Sequence, residues 1–118
     1  MSDRHEDDRG LIEDLLIEPF DGVTHIFTHK NKIRGNHRHQ ATKQWTYVIK
    51  GQLRIATEEK DGTRHDSVYL PGQIAVELPG TWHAWQALED TDVLVFTSGP
   101  RTGEGYESDT ERSPGKLL

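Results

Sequence analysis

Short stretches in which β-branched, aliphatic and aromatic residues alternate with polar ones fill most of the chain from Val23 onward. Clusters of Gly, Pro and Asp separate these stretches at intervals of about 8 to 12 residues, the spacing found in sandwiches and barrels. The predicted strands are Val23–His29, Ile33–His39, Gln44–Ile49, Gln52–Thr57, Asp66–Leu70, Gln73–Leu78, His83–Leu88 and Val93–Ser98. Eight strands are the number of a jelly roll. The pattern therefore predicts an all-β barrel of two antiparallel sheets with at most one short helix.

The segment before Val23 fits two structures. Four aliphatic residues between Leu11 and Leu16 have the spacing of one helical face, and Pro19 would end a helix just beyond them. Such a helix has only about two turns, and helices that short are marginal on their own. We therefore favour an extended arm added to a sheet. The predicted organisation is an N-terminal arm over residues 1–22, a barrel over 23–100 and a polar tail over 101–118.

The composition indicates a thin core, because only 32% of the 118 residues are hydrophobic. A core this small gains stability when apolar surface is buried against a second copy. We therefore predict a homodimer that buries Trp45, Tyr47 and the N-terminal arm.

The charge and the apolar content exclude several classes of protein. A formal net charge of −6 argues against a nucleic-acid partner. The sequence has neither an apolar run of about 20 residues nor the features of a signal peptide, so we expect no membrane partner and a cytoplasmic location. Because the chain has no cysteine, nitrogen and oxygen atoms would have to hold any metal.

Three histidines are candidate functional residues. His37 and His39 are two positions apart on a predicted strand, so both imidazoles project from one face, roughly 6 to 7 Å apart. Gln44 begins the next predicted strand, and His83 begins a later one. A barrel could bring all of these side chains together at its mouth.

The arrangement of these residues resembles the two sequence motifs of the cupin superfamily. The first is His37-x-His39, four residues, Gln44, six residues and Gly51, and the second ends in Pro79-Gly80-x-x-His83. The string from Arg34 to His39 resembles the Arg-Gly-Asn-His-x-His of the cupin domain in capsular polysaccharide assembling reductases. The Gln44 position and the pair Trp82-His83 are similar to those of nucleotide-sugar 3,4-ketoisomerases.

The resemblance implies a cupin jelly roll and a divalent metal ion (zinc, nickel, iron or copper) bound by His37, His39, Gln44 and His83. Two positions depart from the superfamily pattern. Leu78 stands where the second motif has proline, and Gln44 replaces the usual glutamate. An amide offers a neutral oxygen instead of a charged one, so this site should bind a metal less tightly.

Other residues offer contacts for a small-molecule substrate. Five of the 14 basic residues lie between His29 and Lys43, with no acidic residue among them. They fit either a solvated edge strand or a rim that attracts a nucleotide diphosphate, with Arg34 as a substrate-binding candidate. Regular alternation would place Arg34 on the face opposite the two histidines. Trp85 shares a face with His83 and could either stack on a substrate or pack in the barrel.

We interpret the chain as a small cupin enzyme, an isomerase or epimerase of a nucleotide-linked keto-deoxysugar that works by enolisation. His37 and His39 would act as base and acid, or would instead bind a metal that stabilises the enolate. The alternatives are a metal-dependent dioxygenase acting on another small molecule and a non-catalytic ligand-binding or sensor cupin.

Overall fold

The computed structural model describes residues 4–99 and 109–118, and the elements assigned within these ranges are β-strands. The strands are β1 (Arg4–Asp7), β2 (Gly10–Glu13), β3 (Gly22–Thr28), β4 (Ile33–His39), β5 (Lys43–Lys50), β6 (Leu53–Glu58), β7 (Arg64–Tyr69), β8 (Ile74–Glu77), β9 (Trp82–Ala87), β10 (Thr91–Ser98) and β11 (Thr110–Arg112). The part of the chain described has no helix long and apolar enough to cross a membrane.

Two antiparallel sheets form the body of the molecule. One has the strand order β3-β10-β5-β8, and the other has the order β11-β4-β9-β6-β7. Buried apolar side chains from both sheets fill the space between them: Val48, Leu53, Ile55, Ala75, Trp85, Val93 and Val95. The all-β jelly-roll prediction is confirmed, and each of the eight predicted strands is present with ends that differ by a few residues.

The N-terminal segment is an extended arm and not a helix. Strands β1 and β2 pair with each other in a sheet of their own, so within one chain the arm is not added to either of the two larger sheets. The chain then crosses the outer face of the four-stranded sheet. There the rings of Phe20 and Phe96 pack edge-to-face, with their centroids 5.4 Å apart. Trp45 lies beside this crossing segment and is only 4% exposed.

The C-terminal segment contributes a strand that the alternation pattern did not predict. Strand β11 pairs with β4, placing Thr110 opposite His39 and Arg112 opposite His37. Strand β11 covers the end of β4 at His37–His39, and β5 lies between β10 and β8, so the edge-strand interpretation does not hold for Arg38 and Lys43. Within the predicted tail, residues 101–108 lie outside the described residues.

A β-bulge at Asn36 changes which side chains of β4 face inward. Gly35 pairs with Ala84, but the next paired residue is His37, opposite His83. Asn36 is the extra residue, and its positive φ of 58° is tolerated by asparagine better than by most residues. The bulge shifts the alternation by one residue, so Arg34 pairs with Trp85 and lines the interior. The expectation that Arg34 faces away from the histidines is therefore wrong.

Candidate functional site

Three histidines from two adjacent strands meet between the sheets. His37 and His39 lie on β4, and His83 lies on β9 opposite His37. One ring nitrogen from each of the three lies within 4.8 Å of those of the other two. The structure thus brings together the histidines singled out in the sequence.

The histidines line a cavity of about 390 Å³. Its apolar wall includes Ile26, Ile33 and Val95, whereas two cationic side chains, Arg34 and Arg112, contribute to the rest of its lining. A cavity of this size and mixed character suits a small polar molecule.

The cavity keeps two of its histidines neutral near pH 7. Burial, together with the neighbouring His83, His39 and Arg112, lowers the pKa of His37 to about 4. Burial also lowers the pKa of His83 to about 4. A neutral imidazole has a lone pair on one nitrogen, which can accept a proton or bind a metal.

His39 is held from behind by the C-terminal segment. Its Nδ1 lies 3.2 Å from Thr110 Oγ1 and 3.6 Å from Asp109 Oδ2. The Asp109 carboxylate is buried and accepts hydrogen bonds from Ala41 N and Thr42 Oγ1. With Nδ1 engaged by this segment, Nε2 is the nitrogen left for chemistry in the cavity.

Glu77 on β8 places a second buried carboxylate behind His83. It accepts hydrogen bonds from Gln44 Nε2 at 3.1 Å, Thr46 Oγ1 at 3.0 Å and Trp85 Nε1 at 3.3 Å. Its Oε2 also lies 3.2 Å from His83 Nδ1. Burial raises the pKa of Glu77 to about 7, while the three hydrogen bonds oppose this rise.

The remaining residues predicted for the site also line the cavity. Gln44 is buried, and its amide nitrogen donates to Glu77. Trp85 is 5% exposed and belongs to the core as well as to the cavity wall. Arg34 donates from Nε to Thr28 Oγ1 at 2.9 Å and from Nη2 to Phe27 O at 3.1 Å.

The sequence matches the cupin domain family, Cupin_2, over residues 25–99. The chain belongs to this family. The two histidine motifs are therefore cupin motifs, as their spacing indicated. A search of curated protein sequences gives no match.

Solved structures share the cupin fold of this chain. The sugar 3,4-ketoisomerase QdtA of Thermoanaerobacterium thermosaccharolyticum, in complex with TDP, has a TM-score of 0.78 at 16% identity, over 96% of this chain and 85% of QdtA. The dTDP-4-dehydrorhamnose 3,5-epimerase of Sulfolobus tokodaii has a TM-score of 0.72 at 20% identity, over 91% and 70%. CapF, a capsular polysaccharide assembling protein of Staphylococcus aureus, has a TM-score of 0.70 at 18% identity, over 96% of this chain and 34% of CapF.

Sequence reasoning missed three polar residues of this cupin site: Glu77, Asp109 and Arg112. The two carboxylates approach their histidines from separate strands or segments, and no spacing rule connects them. Arg112 lies on the short strand β11, whose three residues carry no alternation pattern. Its pairing with β4 is the only signal for it, and that pairing is a tertiary contact.

The three histidines form a donor set that fits a divalent metal ion. Tetrahedral zinc with three histidine ligands separates the ligand nitrogens by about 3.4 Å, given zinc–nitrogen distances of 2.0–2.1 Å. The ligand nitrogens here lie within 4.8 Å of one another, so the three rings would have to move closer together to reach this geometry. Metal-binding histidines commonly direct the other nitrogen to a carboxylate, and both His39 and His83 have one there.

Proposed function

We propose that the chain is an isomerase or epimerase of a nucleotide-linked keto-deoxysugar. The observation that carries this proposal is the pairing of His39 with the buried Asp109 inside a cavity that also holds His37 and two arginines. Movement of a carbonyl group, or inversion beside one, requires a base at carbon and a donor at the carbonyl oxygen. The cavity offers both. The shared fold with the ketoisomerase and epimerase structures supports the same class of substrate.

His39 is the better base of the two catalytic histidines. Removal of a proton from the carbon beside the ketone makes its ring cationic, and the buried Asp109 carboxylate behind Nδ1 stabilises that cation. In isomerisation the same nitrogen then returns the proton to the neighbouring carbon, whereas epimerisation requires a second proton donor on the opposite face of the enolate. His37 stays neutral, and its ring can donate a hydrogen bond to the enolate oxygen.

The rest of the cavity provides contacts for the substrate. Arg34 and Arg112 are suited to a diphosphate, because guanidinium groups form charge-assisted hydrogen bonds with phosphate oxygens. Trp85 presents its indole to the same space and can pack against a sugar ring. These three residues are our proposed substrate-binding set.

We also propose that His37, His39 and His83 can hold one divalent ion, either zinc, nickel, iron or copper, with Gln44 as a weak fourth ligand or a neighbour. Such an ion would stabilise an enolate electrostatically. The two uses of His39 exclude each other, because a ligated nitrogen has no lone pair for a proton. Chelation distinguishes them: proton transfer by the histidines alone persists in chelator.

The direct test measures exchange of carbon-bound hydrogen with solvent deuterium in a panel of thymidine-diphosphate keto sugars. Enolisation predicts exchange by the wild-type protein even where net conversion is small. Substitution of either His37 or His39 by Ala should abolish it. Binding of the panel without exchange would favour a ligand-binding cupin. No binding at all would favour a different substrate, as expected for a metal-dependent dioxygenase built on the same three histidines.

We propose that the protein is a homodimer. The outer face of the four-stranded sheet and the adjoining arm expose large apolar side chains, including Ile17, Val76 and Leu78, each more than half exposed. Trp45 is already covered by the chain's own arm, so these neighbours would supply the apolar contacts. Exposed apolar patches of this kind are typical of contact surfaces.

A further inference from the structure

The buried carboxylate of Glu77 lies at the meeting point of β8, β5 and β9. It is 3% exposed, and its Cα pairs with that of Gln44 across the sheet. Nothing in the proposed proton transfer uses this group. A carboxylate buried so deeply needs donors on both oxygens to offset its desolvation.

The donors around Glu77 divide evenly between its two oxygens. Oε1 accepts from Thr46 Oγ1 and Trp85 Nε1. Oε2 accepts from Gln44 Nε2 and lies 3.2 Å from His83 Nδ1. That Nδ1 is buried and makes no hydrogen bond in the structure. A small rotation of the ring would make it the fourth donor.

This arrangement determines which way two cavity side chains present their polar atoms. An ionised carboxylate only accepts hydrogen bonds, so the nitrogen facing it must carry a hydrogen. In neutral His83, a hydrogen on Nδ1 leaves the lone pair on Nε2. In Gln44, an amide nitrogen directed at Glu77 turns the carbonyl oxygen away from it.

We propose that Glu77 is a positioning residue that holds His83 as the Nδ1–H tautomer and turns the carbonyl oxygen of Gln44 away from itself, so that both side chains present lone pairs to the cavity. This inference rests on the proposed use of the cavity histidines. It also accounts for the departure at Gln44. The carboxylate missing from the first motif is present on the neighbouring strand, one side chain behind the cavity.

Glu77→Gln should reverse this orientation. The Trp85 indole N–H can only donate, so the carbonyl oxygen of the new amide must take the place of Oε1. Its NH₂ group then faces Gln44 and His83. Each must now accept a hydrogen bond there, and His83 becomes the Nε2–H tautomer with its lone pair turned away from the cavity.

The experiment reads the tautomer of His83 by long-range ¹H–¹⁵N correlation in metal-free protein labelled with ¹⁵N-histidine. It is done at pH 8, well above the ordinary pKa values of a carboxyl group and of an imidazole. We expect Nδ1–H in the wild type and Nε2–H in Glu77→Gln. The control is Thr46→Val, which removes another hydrogen bond to Glu77 and should leave the tautomer unchanged.

The proposal is overturned if the wild type shows Nε2–H, if Glu77→Gln keeps Nδ1–H, or if Thr46→Val changes the tautomer as much. If Glu77→Gln does not fold, the tautomer of His83 in the wild type and in Thr46→Val still tests the proposal. A second readout is zinc affinity by calorimetry, which should fall about 10- to 100-fold in Glu77→Gln and stay within about twofold in Thr46→Val. An unchanged affinity in Glu77→Gln would overturn the role toward a metal. Because neither readout uses a sugar substrate, failure of the isomerase proposal would leave both results standing.

Discussion

The three cavity histidines differ in what lies behind them. His39 has Asp109 and Thr110 at Nδ1, and His83 has Glu77. No carboxylate within ion-pair distance is found for His37 among the residues that the structure describes. The three rings are therefore not equivalent. A buried carboxylate would stabilise a positive charge on the His39 ring, whereas the lowered pKa of His37 keeps that ring neutral.

Replacing Asp109 with Asn should slow exchange of the substrate's hydrogen with deuterium by about 10²-fold or more, because the His39 cation loses its counter-charge. The reaction would be followed by NMR of the substrate in deuterated buffer. Glu111→Gln is the matched control, since Glu111 lies on the same segment but pairs with Arg38 and not with a cavity histidine. Equal rates in Asp109→Asn and the wild type would remove the basis for assigning His39 as the base.

Replacing Gln44 with Glu should lower the melting temperature of the metal-free protein. The new carboxylate would lie about where the amide now donates to Glu77, at 3.1 Å, and two buried like charges repel. A divalent ion held by the histidines would offset that repulsion and gain a charged ligand. Thermal unfolding with and without zinc should show a larger stabilisation by zinc in Gln44→Glu than in the wild type. An equal shift in both would place Gln44 away from the ion.

For individual residues, the sequence predicted the cavity histidines and Gln44 from their spacing, but it predicted neither of the carboxylates that contact them. His37 and His39 are joined by strand alternation, and the cupin motifs link them to Gln44 and His83. The partner of His39, by contrast, lies 70 residues along the chain, at Asp109. On β8 the small Ala75 and the charged Glu77 face inward and the larger Val76 faces outward, which a rule that places the larger apolar residues inward does not predict.

The bulge in β4 is the element that completes the cavity. It brings His37 opposite His83 and turns Arg34 inward in the same strand. Strand alternation applies only between irregularities, so the sequence placed the histidines correctly and Arg34 on the wrong face. Gly35 allows the bulge, because a Cβ there would lie 2.9 Å from the carbonyl oxygen of His83.

Gly35→Ala should therefore destabilise the protein and disturb the histidine cluster. Its φ of +92° is strained for alanine, and β4 must also move away from β9. Gly62→Ala is the control, since its φ is +89° with nothing within 4 Å of the new Cβ. We expect Gly35→Ala to lose about 1–3 kcal/mol more than Gly62→Ala in urea unfolding, the range for overpacking. A similar loss of unfolding free energy in both variants would mean that the close approach of β4 and β9 at Gly35 contributes little to the cost of the substitution.

For the whole molecule, three groups with strongly shifted pKa values contribute to the pH dependence of stability in the metal-free state. His37 and His83 have pKa values lowered from 6.5 to about 4, so between these values the unfolded chain binds two protons that the folded chain does not. Glu77 has a pKa raised from 4.5 to about 7, so between these values the folded chain binds one proton that the unfolded chain does not. This proton offsets one of the two histidine protons. The folded state should therefore gain stability as pH rises from 4.5 to 6.5.

The expected slope is that of one net proton, at most about 1.4 kcal/mol per pH unit, and less because His37 is partly solvated. Between pH 6.5 and 7 the Glu77 contribution alone makes stability fall slightly. Urea unfolding of metal-free protein at pH 5, 6 and 7 measures this. Glu77→Gln removes the opposing proton and should steepen the rise below pH 6.5. Stability that increased on acidification from pH 6.5 to 5 would contradict the assigned pKa directions.

The apolar outer face of the four-stranded sheet is the surface through which we expect two copies of the chain to associate. The isolated hairpin of β1 and β2 has few contacts with the rest of the chain, and hairpins of this size are marginal alone. A second copy packed on this face would bury Val76 and could support the arm.

In sedimentation velocity at micromolar concentration, we expect twice the chain mass of 13.5 kDa. Val76→Asp should give the single mass, because dimerisation would bury an unpaired charge. Val68→Asp, with a similar exposure of 46% on the other sheet, should remain dimeric. A wild-type protein that sediments with the mass of one chain would contradict the dimer and show that the thin core stabilises a monomer.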